Sequence, residues 1–327
     1  MGQAELTSPA GPASRTRAES ATHSWRLDAV RRVLHGWHLL SLDAPTVATI
    51  WTALIAASAG VHLPTTALLA MFLAVWTLYA ADRLLDARPL RHLHAAEQRS
   101  LGDMQLEARH WFHHHHRRHF LTALAAVTVF LGCLLPRLPI PALQLDLLLG
   151  TLLFGYFVVI HATNGARLPK EIAVGLFFAA AVFIPTISRR PDLRLAFSPL
   201  LLLFAALCSL NCVAIYKWEH ADDRALQSRP ADEYQGTGTM HPHAVTQWAV
   251  SHLRPIGYAL VIASTLMAAH TGPGRPGCLA VAFAAGLLLL LDAFKNFAPP
   301  VTLRALADLA LVTPLAVWPA LHVLLRR

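Results

Sequence analysis

Asp82 and Asp86 close one apolar stretch of the chain, and Glu219 and Asp223 close another, each pair four residues apart. On a helix this spacing puts two carboxylates on one face with Cβ atoms about 5–6 Å apart. Such a pair suits a hard divalent cation, because Mg²⁺ takes oxygen ligands and carboxylates supply them. Asp222 stands beside the second pair, flanked by Lys217 and Arg224, while Arg83 and Arg88 flank the first. Held between two helix ends, the pairs could clamp Mg²⁺ against an anionic substrate such as a diphosphate. As that group leaves carbon it carries several negative charges, which the metal neutralises. Arg167 and Lys170, in NGARLPKE, are candidates to complete the anion pocket together with Lys217. The plain alternative makes the acids solvated helix ends paired with their arginines, and Arg167 and Lys170 mere markers of a basic membrane side. Asn211 lies eight residues before Glu219 and so on roughly the same helix face. It either points into the same cavity or hydrogen-bonds a neighbouring helix.

These residues need helices to position them, and the composition says of what kind. Of 327 residues, 55% are hydrophobic and 14% charged, against about 25% charged in ordinary soluble domains. A mean hydropathy of +0.46 also argues against a soluble globular protein. Apolar runs lie at 44–61, 64–81, 119–136, 140–162, 171–188, 196–216, 255–271, 277–294 and 305–325, each near the length that crosses a bilayer. The expected fold class is therefore all-α, a polytopic membrane protein with a bundle of nine transmembrane helices over 43–327. Residues 1–24 read as a disordered cytoplasmic tail too polar to bury a core. Residues 25–42 read as an amphipathic helix on the membrane surface.

The net charge of +8 does not point to nucleic acid, because the basic residues sit in short loops between apolar runs. Twenty of the 27 Lys and Arg residues fall on one side if the amino terminus is cytoplasmic. That bias predicts an integral membrane protein, of a bacterial inner membrane, with its amino terminus inside. The two long hydrophilic loops, 82–118 and 217–254, follow the second and sixth runs on that same side, so one arrangement recurs four helices later. All four cysteines lie within apolar runs and read as packing residues, with no disulfide framework or zinc motif.

The chain resembles the UbiA superfamily of intramembrane prenyltransferases, which have nine membrane helices and two Asp-rich motifs on the cytoplasmic side. In LYAADRLLD, residues Leu78, Tyr79, Asp82 and Asp86 fall on the four fixed positions of the family's NDxxDxxxD motif. Its second and third aspartates match, and Leu78 and Tyr79 replace its Asn and first Asp. The family's second motif is similar to EHADD, with Glu219 on its first acidic position and Asp223 on its last. Leu168 to Pro185 resembles the family's stretch entering the fifth helix. The resemblance implies Mg²⁺-dependent transfer of an isoprenoid chain from a prenyl diphosphate to a lipophilic or aromatic acceptor. Mg²⁺ would be held by Asp82, Asp86, Glu219 and Asp223, with Asp222 beside them. An allylic cation would then be open to stabilisation by the ring faces of Tyr79, Tyr156, Phe154, Phe177 or Phe178. The alternative is a non-catalytic or transport-type membrane protein on the same scaffold that binds an isoprenoid or anionic lipid.

Four further features stand apart from these motifs. His113 to His116, with His110 and His119, read either as a transition-metal site or as a pH-sensitive basic membrane face. Asp146, Asp292 and Asp308 lie in or near spans, where an ionised carboxylate costs about 2.5–3.5 kcal/mol at mid-depth. For Asp308 the simpler expectation is a helix-end ion pair with Arg304, four residues earlier.

Overall fold

The computed structural model describes residues 33, 36–86, 115–162, 169–220 and 243–316. Within them the chain forms α1 (Asp43–Ser58), α2 (Thr65–Asp86), α3 (Arg117–Leu134), α4 (Ile140–Ala162) and α5 (Lys170–Ile187). It continues with α6 (Arg194–Glu219), α7 (Ala244–Ser251), α8 (Leu253–His270), α9 (Arg275–Ala293) and α10 (Pro300–Ala310). No strand occurs among the described residues. Local chemistry sets several boundaries. Pro169 and Pro299 precede α5 and α10 in extended conformation, where a missing N–H is harmless. At the end of α1, Gly60 takes φ +64°, and the Val61 and Gly60 N–H groups reach back to the Ala56 and Ala57 carbonyls at 2.8 and 3.1 Å. This reversal satisfies carbonyls that the end of the helix would otherwise leave open.

Each of the nine apolar runs is mostly helical in its described part. Six of the helices are long and apolar enough to cross a membrane: Thr65–Leu84, Arg117–Arg137, Ile140–Val159, Lys170–Ile187, Pro191–Glu219 and Arg275–Ala293. They mark the chain as a membrane protein. α1, with 16 residues, and α10, with 11, are shorter, so nine spans are not what these helices establish. One correction concerns the stretch 217–254, read from sequence as a hydrophilic loop: it contains α7. Residues 1–24 and most of the segment 25–42 lie outside the described residues.

α6 is the axis of the bundle and packs against α5, α7, α8, α9 and α10. Its seam with α5 is closest at Gly175, where a Cβ would stand 2.7 Å from the Ala205 carbonyl and 2.8 Å from the Ser209 nitrogen. No side chain fits between those backbones. Around the seam, Trp51, Phe183, Phe197 and Phe204 are fully buried, with Trp51 and Phe204 ring centroids 4.3 Å apart. Trp51 also donates from its indole nitrogen to the Leu311 carbonyl at 2.8 Å, fastening α1 to the end of α10. α3 and α4 lie outside this core, and their apolar side chains, among them Val129 and Phe154 at 69% exposure each, face outward. In water such a face would be unstable; against hydrocarbon it needs no cover.

Candidate functional site

A cavity of about 280 Å³ opens where the starts of α1 and α5 meet the ends of α2 and α6, with α10 alongside. Each helix contributes one stripe. From α6 come Cys208, Asn211, Cys212, Ile215, Tyr216 and Glu219, spaced at three and four residues as one face of a helix must be. α5 gives Lys170, Glu171, Val174 and Phe178; α2 gives Tyr79, Asp82 and Arg83; α1 gives Ala44 and Val47; α10 gives Arg304, Asp308 and Leu311. The walls are mainly apolar, while seven charged residues gather at the helix ends. A cavity of this make-up suits a ligand with an apolar body and a charged end.

The charged groups are interlinked. Arg304 Nη1 donates to Glu219 Oε1 at 2.5 Å. Arg83 Nη2 donates to the Tyr79 hydroxyl at 2.6 Å and stands 3.4 Å from Asp43 Oδ2, with its guanidinium carbon 4.4 Å from the Tyr79 ring centroid. His38 Nδ1 lies 2.8 Å from Asp43 Oδ2 and 3.8 Å from Asp308 Oδ2. Burial pulls the His38 imidazole below its ordinary range, against the hydrogen bond with Asp43 that pulls it upward. Asn211 Nδ2 donates to Asp308 Oδ1 at 3.1 Å. At the mouth, Glu171 Oε2 accepts from the Thr246 hydroxyl at 2.7 Å, tying α7 to α5. Several buried atoms of this network make no hydrogen bond, among them Arg83 Nη1, Asn211 Oδ1 and Asp308 Oδ2.

Of the residues singled out from sequence, Tyr79, Asp82, Lys170, Asn211 and Glu219 line this one cavity. α2 continues helically to Asp86, as the four-residue spacing requires. The side chain of Asp86, and Arg167, Asp222 and Asp223 altogether, lie outside the described residues, as do His110, His113 and His114. Lys217 is placed elsewhere. Two positions before Glu219 on α6, it turns away from the cavity stripe and holds Asp292 Oδ1 at 3.0 Å. Among the aromatic candidates Tyr79 and Phe178 line the cavity; Phe154 faces outward, and Tyr156 packs on Phe177 with centroids 5.7 Å apart. Asp146 is exposed on α4. Asp308 bonds to Asn211, and Arg304 reaches Glu219, so both residues link α10 to α6.

Reading the sequence for motifs missed His38, Asp43 and Glu171, and took Arg83 only as a flanking charge. A signal was present. In an alternating bundle the starts of odd helices share a side with the ends of even ones, and Asp43 and Glu171 sit in the first turns of α1 and α5. Acids there belong beside Asp82 and Glu219. Compared with family models, with curated proteins and with solved structures, the chain matches none.

Proposed function

We propose that the protein is an intramembrane prenyltransferase of the UbiA kind, moving an isoprenoid chain from a prenyl diphosphate to a lipophilic or aromatic acceptor. The observation that carries this reading is the meeting of Asp82 and Glu219, from the ends of two different helices, in one cavity with apolar walls. Both offer only hard oxygen donors, the ligand type Mg²⁺ takes, so the donor set fits that ion. Magnesium, when bound there, would neutralise charge on the departing diphosphate. The chain's own residues supply the rest. Lys170 brings positive charge to the cavity edge and the buried Arg83 brings it to the wall, where its unbonded Nη1 is a donor suited to an anionic oxygen. Val47, Val174, Phe178, Ile215 and Leu311 form a dry wall for the isoprenoid, excluding water from an allylic cation. Tyr79, held by Arg83, presents its ring at the border between the two zones. The asymmetry of basic residues supports a cytoplasmic opening and an amino terminus inside.

A second reading, a non-catalytic binder of an isoprenoid or anionic lipid on the same scaffold, is favoured by one observation. Arg304 already occupies Glu219 Oε1. Thermal unfolding of the detergent-purified protein with prenyl diphosphates of several chain lengths, with and without Mg²⁺, separates the two. Stabilisation by about 2.7 kcal/mol at a ligand excess near 100 times Kd is expected only with Mg²⁺, and is lost in Asp82→Asn. A shift independent of Mg²⁺ and of Asp82 would leave the second reading; no shift at any chain length would remove both.

A further inference from the structure

We propose that His38, Asp43 and Asp308 form a binding site for a first-row divalent transition ion of the Mn²⁺, Fe²⁺ or Zn²⁺ class, distinct from the Asp82 and Glu219 carboxylates. One imidazole nitrogen and one oxygen from each carboxylate lie within 4.8 Å of one another. His38 Nδ1 stands 2.8 Å from Asp43 Oδ2 and 3.8 Å from Asp308 Oδ2. Ligands bound at about 2.0–2.2 Å to a common ion stand about 3–4 Å apart, so the set closes on an ion with little movement. An imidazole among carboxylates selects against Mg²⁺, which prefers oxygen alone, and for ions that accept both donors. The ligands come from the segment before α1, from the first turn of α1 and from α10, so the packed bundle fixes them.

A second observation points to a cation at the same place. Asn211, only 6% exposed, holds Asp308 Oδ1 through its Nδ2, yet its own Oδ1 accepts no hydrogen bond, and neither does Asp308 Oδ2. Buried acceptors nearly always have a donor or an ion against them. The neighbouring guanidinium groups do not supply that donor: Arg83 Nη2 reaches Tyr79 at 2.6 Å and Asp43 Oδ2 at 3.4 Å, Arg304 Nη1 reaches Glu219 at 2.5 Å, and Asn211 Oδ1 and Asp308 Oδ2 stay without a hydrogen bond. Asn211 and Asp308 both line the cavity, which gives an ion its way in and a side open to a bound ligand. The inference does not rest on prenyl transfer, because it needs neither a diphosphate nor Mg²⁺.

Because the His113–His116 run would itself take up such ions, the test uses the full chain with those four residues changed to Gln. After loading with Mn²⁺ or Zn²⁺ and dialysis, elemental analysis is expected to find one equivalent. Asp308→Asn and His38→Ala, verified as folded, are each expected to lower the affinity at least about 100-fold, and Asn211→Ala about 10-fold. Co²⁺ loading of the chain with an intact site is expected to give visible d–d absorption that Zn²⁺ displaces and millimolar Mg²⁺ does not. This spectrum decides the matter even if the ligand variants fail to fold. No retained equivalent, unchanged retention in both ligand variants, no d–d band, or ready displacement by Mg²⁺ would each overturn the site.

Discussion

Two charged clusters lie in the same bundle and are built on opposite terms. Around Asp292, which is 1% exposed, every oxygen has a donor: Lys217 at 3.0 Å and Trp218 at 3.1 Å on Oδ1, Arg254 at 2.9 Å on Oδ2. The donors come from α6 and α8, and the carboxylate from α9, so the group fastens three helices. Around Asp308 the case is different, with Asn211 Oδ1, Asp308 Oδ2 and Arg83 Nη1 among the atoms that make no hydrogen bond. A buried polar network that is fully satisfied rigidifies a core, while one left partly open is unstable unless a ligand completes it. The first cluster is architecture, and the second is where we place the proposed site.

The comparison breaks most directly at Asp292. Asp292→Ala removes the acceptor of three donors and leaves two cations side by side at a helix junction, which is expected to destabilise the protein by about 2–4 kcal/mol. Thermal unfolding in detergent measures it. At the other cluster Asp308→Asn removes a carboxylate that is poorly compensated, so stability is expected to hold or rise within about 1 kcal/mol. Binding is where this variant suffers, with the loss in metal affinity of about 100-fold given above. A fall in stability as large as that of Asp292→Ala would erase the distinction between the clusters. Tyr79→Phe comes next: the ring stays against Arg83, the acceptor at 2.6 Å is lost, and a cost of about 1 kcal/mol is expected.

The sequence exposed the architecture more fully than the site, and for a physical reason. Hydrophobic runs near bilayer length are read directly, because lipid requires the backbone to close its own hydrogen bonds as helix. α7 escaped because eight residues carry too little pattern, and its amphipathic packing on α6 is a tertiary fact. Asp82 and Glu219 were visible because each ends an apolar run, whereas Asp43 and Glu171 begin one and look like ordinary acidic residues of a first helical turn. Lys217 misled because adjacency in sequence suggested adjacency to Glu219, yet two helical positions turn a side chain by about 200°. That rotation carries it from the cavity to the clamp.

Arg254 gives the smallest effect and the finest test of the clamp. Its guanidinium is bonded to Asp292 at 2.9 Å, but its side chain is 58% exposed while Lys217 is 20% exposed. An exposed partner gains little from a charge it meets through water, and salt screens what remains. Arg254→Ala is therefore expected to cost the least of these variants, and the difference from the unaltered chain should shrink in high salt. Lys217→Met is expected to cost more at any ionic strength, since Lys217 is the cation shielded from solvent and shares Asp292 Oδ1 with Trp218. Unfolding curves for both variants across a salt series would show whether the clamp is held from inside the bundle. Equal losses with equal salt dependence would mean that it is held from its surface.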